Sequence, residues 1–308
     1  MRTKSTGMKI RNLGNDAYTG DSPPEFWRMP CLFIANAKKQ SGKTALITSA
    51  LHRLKEAGCM DVIIAISDTF DSNLKMMKNL NIKREHVFSP NDPEAVKKVI
   101  NIIEAERDDL QRYRDELERY KELDKHLENA SIWDDQYLTP ELLDLYNENT
   151  GEFERPTHWL NGKRAAVGVI IDDAQSSKLL SDKAFRNLCI KHRHIGSFPD
   201  GSAPIGCSLF IAVQNYTCQG NEGIPKAIRG NADVFAIWRT GNTKELDLLM
   251  TELSGMIPKD RLMKAYTTVM NKDPTDKHAC LVFETNPKKH APSPFRIGLT
   301  DWLILDDD

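Results

Sequence analysis

Between Ala37 and Thr44 the chain reads A-K-K-Q-S-G-K-T, one residue away from the phosphate-loop pattern G-x-x-x-x-G-K-S/T. Such a loop works by curling backbone N–H groups around phosphate oxygens and aiming a helix N-terminus at them. In that role Lys43 reaches the β- and γ-phosphates and the Thr44 hydroxyl holds Mg²⁺. Gly42 lets the backbone approach the nucleotide with no Cβ in the way. The cradle as a whole comprises Ala37, Lys38, Lys39, Gln40, Ser41, Gly42, Lys43, Thr44 and Ala45. The pattern has glycine where this chain has Ala37. If that position requires positive φ, alanine costs about 1 kcal/mol or more, and Ala37→Gly is then expected to relieve the strain.

A second group of chemistry-bearing residues lies at Val169-Ile170-Ile171-Asp172-Asp173, an apolar run ending in two acids. Beside a phosphate loop this is the Walker B arrangement. Asp172 is expected in the Mg²⁺ shell, and Asp173 is expected to orient and polarise the attacking water. Two acids at a strand end are also common on solvated surfaces; it is the pairing with the phosphate loop that gives them chemical meaning. A third polar end, Gln214-Asn215, closes the apolar run 207–215, where Gln214 could touch the γ-phosphate or the water, or could simply cap a turn.

These residues need elements to hold them. The apolar run from Cys31 precedes the phosphate loop, and 44–57 after it has helical periodicity ending at Gly58. Residues 61–67, 165–172, 207–215, 232–239 and 278–285 are apolar runs of strand length. Their separation by helical or loop segments predicts βαβ units and an α/β fold, with a mainly parallel sheet between helices. A helix is expected over 73–80 and a short strand at 87–89. Residues 94–129 form a long charged helical stretch in which Leu110, Tyr113, Leu117, Tyr120 and Leu127 recur at heptad-like intervals; it either lies on the domain or forms a coiled-coil arm. With the mixed segment 130–163, which holds Trp133, Tyr137, Tyr146 and Trp159, it makes a helical and irregular insertion at about 94–163. Residues 1–29 read as an N-terminal arm in which Phe26 and Trp27 pack or stack, and 30–308 as a single domain.

At 308 residues the chain is long enough to bury a substantial core. A net charge of −2 proposes no global attraction to nucleic acid, although a ring can confine basic residues to its pore; Lys191, His192, Arg193, Lys288 and Lys289 are the candidates. Six scattered cysteines without a C-x-x-C pair predict reduced thiols and no structural zinc. There is no apolar run of about 18 residues to span a membrane and no signal-peptide pattern, so a cytoplasmic protein is expected.

The order of motifs resembles the genome-packaging ATPases of large DNA viruses, the poxvirus-type branch of the FtsK/HerA superfamily. The resemblance is carried by G-K-T, I-I-D-D-A, K-H-R-H-I at 191–195, S-L-F-I-A-V-Q-N at 208–215 and I-P-K-A-I-R-G-N at 224–231. It covers roughly 30–60 and 165–240. It implies a P-loop NTPase of the additional-strand, RecA/FtsK-like class, with a further strand between the phosphate-loop and Walker B strands; 61–67 is one strand that falls between the two motifs in sequence. It also implies an ATP- and Mg²⁺-dependent translocase acting on the backbone of double-stranded DNA as a homo-oligomeric ring. Such a ring would be met by capsid or portal proteins in the host cytoplasm or viral factory, or in the virion. Lys43, Thr44, Asp172, Asp173 and Gln214 would form the ATP site, with Arg193 and Arg229 as candidates to reach a neighbouring subunit's γ-phosphate. K-K-Q-S-G-K-T also resembles the phosphate loop of phage terminase large subunits, in which a nuclease domain is expected after the ATPase. A helicase or recombination ATPase of the same fold, or a nucleotide-binding structural protein without turnover, are the alternatives.

Overall fold

The computed structural model describes residues 22–69, 78–129, 139–217 and 223–305. A nine-stranded sheet runs through it. The strands belonging to it are β1 (Leu32–Asn36), β2 (Val62–Ile66), β3 (Val87–Phe88), β6 (Val167–Ile171), β7 (Ser208–Val213), β8 (Val234–Trp238), β9 (Cys280–Glu284), β10 (Phe295–Ile297) and β11 (Asp301–Trp302). β4 (Tyr146–Asn147) and β5 (Glu152–Phe153) form a separate hairpin within the insertion. Strand order is β11-β10-β9-β8-β1-β7-β6-β2-β3. The pairs from β8 through β3 are parallel, and those from β8 to β11 are antiparallel. The mainly parallel α/β fold is therefore present.

Strands β1, β2, β6, β7 and β8 are almost wholly apolar and buried, as strands covered on both faces must be. One layer of side chains packs under α1 (Lys43–Glu56) and residues 26–29; it includes Phe33, Phe210 and Val282. The other packs under α2 (Ala95–Asn129), α3 (Lys183–Lys191), α5 (Thr243–Leu253) and α6 (Lys259–Lys272), with the short α4 (Lys226–Arg229) alongside. Helix α1 presents Ile47, Ala50, Leu51 and Leu54 to the sheet, the i, i+3/i+4 spacing of an amphipathic helix. Its approach to β6 is close: a Cβ on Gly168 would stand 2.7 Å from the Met60 sulfur and 3.3 Å from Leu51 Cδ2.

One expectation changes, and two open alternatives resolve. The strand lying between the phosphate-loop strand β1 and the Walker B strand β6 is β7, not 61–67, which pairs on the far side of β6 as β2. Sequence adjacency gives no strand order when every connection is a crossover. Over its first twenty or so residues helix α2 lies on the domain rather than standing out as an arm. Val96, Val99, Ile103 and Leu110 are buried in the core, and the Arg114 guanidinium sits 4.5 Å above the Phe198 ring. Trp27 and Phe26 are packed, with Trp27 5.1 Å from Phe33. Trp133, Tyr137, Cys218 and most of the helix expected at 73–80 lie outside the described residues; 78–80 is helical.

Candidate nucleotide site

All the sequence-predicted loop, strand-end and acidic residues meet at the C-terminal edge of the parallel strands. The chain leaves β1 at Asn36, and the Ala37 N–H donates to the Val213 carbonyl of β7 at 3.0 Å. The loop then rises and turns through Gln40 (φ 62°) and Gly42 (φ 95°) into α1. Gly42 caps that helix without a side-chain hydrogen bond, so the first-turn N–H groups stay directed outward, the arrangement that suits phosphate.

The strain expected at Ala37 is not there. Ala37 is absent from the positive-φ positions and is buried in the core beneath the loop; within the loop, the non-glycine residue in the left-handed region is Gln40. Ala37 and Lys38 contribute through their carbonyls, which accept from Lys43 Nζ at 2.6 and 2.9 Å. Burial is the largest influence on Lys43 and holds its pKa below the ordinary lysine value, while Asp172 and Asp173 pull the other way and Lys39 adds to the lowering.

Strand β6 delivers the acids. Asp172 is buried; it accepts from the Thr44 hydroxyl at 2.5 Å and from the Asp173 N–H at 3.0 Å. Burial pushes its pKa above the ordinary aspartate range; the Thr44 hydroxyl opposes this and the neighbouring Asp173 reinforces it. Asp173 is exposed and left-handed at φ 53°, a conformation aspartate tolerates better than most residues. A cleft of about 780 Å³ opens here, lined by residues 39–45, Asp172, Asp173, Gln175, Gln214 and Asn215. A hydroxyl and a carboxylate brought together beside a phosphate cradle fit Mg²⁺, which takes hard oxygen donors and few protein ligands.

Arg193 and Arg229 do not line this cleft. Arg193 pairs with Asp233, whose other oxygen accepts from the Leu32 N–H at the opposite end of β1. Arg229 pairs with Glu252 of its own chain. Of the basic pore candidates, His192 is buried with Nδ1 2.9 Å from the Cys189 carbonyl, and Lys288 donates to the carbonyls of Ser22 and Pro23. Lys191 and Lys289 are exposed. Sequence reasoning missed Gln175 and His278. The latter comes from the loop before β9, and its Nδ1 lies 3.1 Å from the Ser41 carbonyl and 3.1 Å from where a Gly42 Cβ would stand. No local pattern announces a contact between residues 237 apart.

No family model matches the chain, and no curated protein matches it either. Solved structures do. The genome packaging NTPase B204 from Sulfolobus turreted icosahedral virus 2 in complex with sulfate has a TM-score of 0.45 at 14% identity, covering 92% of this chain and 99% of that one. Its complex with AMP gives 0.43 at 14% identity, over 85% and 98%. The cytoplasmic domain of the Thermomonospora curvata type VII secretion ATPase EccC gives 0.38 at 14% identity, over 85% of this chain and 24% of that one. A likeness at this level carries no argument about chemistry, which must come from the site itself.

Proposed function

We propose that this chain is a Mg²⁺-dependent ATPase that drives double-stranded DNA into a viral capsid as a ring of identical subunits. The observation supporting the hydrolase half is the 2.5 Å meeting of Thr44 and Asp172 beneath a helix N-terminus, because it unites two motifs 128 residues apart in the relation phosphoryl transfer requires. Thr44 and Asp172 are the residues that would hold Mg²⁺, which would offset the charge of the phosphates. Lys43 exchanges the carbonyls of Ala37 and Lys38 for phosphate oxygens. Asp173, exposed at the strand end, orients water and takes up its proton, with Gln214 as the second polar group toward the γ-phosphate. Lys39 supplies a further cation at the cleft.

The DNA half, the poxvirus-type assignment and the ring rest on the order of motifs, above all I-P-K-A-I-R-G-N following a strand that ends in glutamine. Binding through phosphates is expected to be sequence-independent and to weaken steeply with salt. The test is steady-state ATP turnover with and without linear double-stranded DNA, using Lys43→Ala as the control. Turnover that rises severalfold with DNA and vanishes in the variant supports the whole reading. Absence of turnover in both conditions refutes the hydrolase, and turnover indifferent to DNA refutes the translocase.

A further inference from the structure

Gln214 stands one residue beyond the last paired position of β7, where no ladder hydrogen bond fixes it. The next residues along the chain are held at many points. The backbone N–H groups of Tyr216 and Thr217 both donate to Glu245 Oε1 in the first turn of α5. Glu245 is itself fixed by Asn242, which caps that helix and donates to the other carboxylate oxygen at 3.2 Å. The Tyr216 side chain is 1% exposed, and its hydroxyl donates to Glu252 Oε2 at 2.8 Å, two turns further along α5. Arg229 grips the same carboxylate with a fork, Nε to Oε2 at 2.8 Å and Nη2 to Oε1 at 2.6 Å. Its Nη1 donates to the Ile224 carbonyl at 2.5 Å, its guanidinium lies 4.8 Å above the Tyr216 ring, and the Ile224 N–H returns to the Tyr216 carbonyl at 3.3 Å.

We propose that Tyr216, Glu252 and Arg229 are positioning residues for Gln214, fixing the polar end of β7 in the cleft through α5 rather than through the sheet. The inference rests on the proposed hydrolase reading. A half-buried ion pair such as this one is a weak source of stability, since a well-packed apolar trio of similar volume would serve as well or better. It is well suited to fixing direction, because a guanidinium fork holds a carboxylate in one plane. Here that plane aims Glu252 Oε2 at a hydroxyl whose backbone lies two residues from Gln214. Burial works against the Glu252 charge, but the bonds from Arg229 and Tyr216 together hold its pKa below the ordinary value. The brace therefore keeps its charges over the neutral range. It also gives Arg229 a role within its own chain: the side chain is 10% exposed, and reaching a neighbour's phosphate would break the brace.

The experiment is a double-mutant comparison in the full chain. Tyr216→Phe keeps the ring and removes one hydrogen bond; Glu252→Gln serves as the second variant. Each is measured for kcat, for KM, for affinity toward a non-hydrolysable ATP analogue and for melting temperature, alone and in a Gln214→Ala background. A misplacement of the order of an ångström costs up to about 10²-fold. The expected result is a roughly tenfold fall in kcat in the otherwise wild-type chain, with analogue affinity unchanged within about threefold. In the Gln214→Ala background the fall should shrink below about twofold, because residues acting through one another are non-additive. An equal fall in both backgrounds makes Tyr216 an ordinary core residue and overturns the proposal, as does no fall in either. A Gln214→Ala variant with full turnover overturns it while leaving the hydrolase reading intact. A wild-type chain without turnover removes both. Mixing Arg229→Ala with Asp173→Asn should restore no activity; rescue would return Arg229 to a neighbouring site.

Discussion

Asp172→Asn should make the nucleotide-free protein more stable while abolishing its chemistry. The Asp172 carboxylate is 4% exposed and carries two hydrogen bonds, from the Thr44 hydroxyl and the Asp173 N–H. Asparagine has nearly the same shape. Its Oδ1 can keep the bond from Asp173, and its Nδ2 can donate to the Thr44 oxygen. What disappears is a buried negative charge whose pKa burial has already raised. Relieving such a site typically stabilises by about 1–2 kcal/mol, which for a chain of this length raises the melting temperature by about 2–3 °C. The pH dependence has a defined sign. The native state holds this proton more tightly than the unfolded state, so wild-type stability falls as pH rises from the ordinary aspartate value through the raised native one. The advantage of the variant should be absent in acid, grow across that window and be complete above it. Saturating Mg-ADP should reverse the ranking, since ligand at 100 times Kd adds about 2.7 kcal/mol to the wild type, and the variant, with one metal ligand fewer, gains much less. Thermal melting at several pH values, with and without Mg-ADP, reads all of this. A nucleotide-free variant that melts below the wild type at neutral pH would refute the burial argument. An undiminished Mg-ADP shift would remove Asp172 from the metal site.

Lys43→Ala should weaken ATP binding at least about 10²-fold by titration, whereas Asp173→Asn should bind normally and turn over on the order of 10²–10³-fold more slowly, since an amide cannot take up a proton from water. Ala37→Gly should lower stability by about 1 kcal/mol through lost burial and added backbone freedom, with no gain in nucleotide affinity; tighter binding would revive strain at that position. Glu284→Ala should cost about 3–5 kcal/mol in denaturant unfolding, because Arg296, which binds Glu284 Oε1 through Nε at 2.8 Å and Nη2 at 2.5 Å, is itself buried; a cost under about 1 kcal/mol would mean the arginine finds water.

The cradle, the acids and most of the parallel strands are legible in the sequence because each is local. K-K-Q-S-G-K-T specifies a loop by its own backbone, and a β-branched run such as V-G-V-I-I suits a doubly covered sheet. Strand order is not local: β7 enters between β1 and β6 only when all the crossovers are laid down. Strands β10 and β11, at one end of the sheet, are too short, at three and two residues, to leave a period. The partners of Arg193 and Arg229 were hidden for the same reason, since Asp233 and Glu252 lie 40 and 23 residues away. The position of loop strain, at Gln40 rather than Ala37, depends on dihedral angles that residue types alone do not assign. His278 reaches the loop from the antiparallel half of the sheet, with no motif to mark it.

The missing side chain at Gly168 sets a tolerance for the catalytic machinery. Helix α1 meets β6 at two places, a polar one where Thr44 touches Asp172 and an apolar one where Leu51 and Met60 close over Gly168. The two act like the ends of a clamp whose gap at the apolar end is gauged by the absence of a methyl group. A Cβ at 168 would have to displace the Met60 sulfur and press on Leu51 of α1. The close seating of α1 on the strand that carries Asp172 thus uses a position outside the cleft lining, and the absence of a side chain there is part of how the two elements fit.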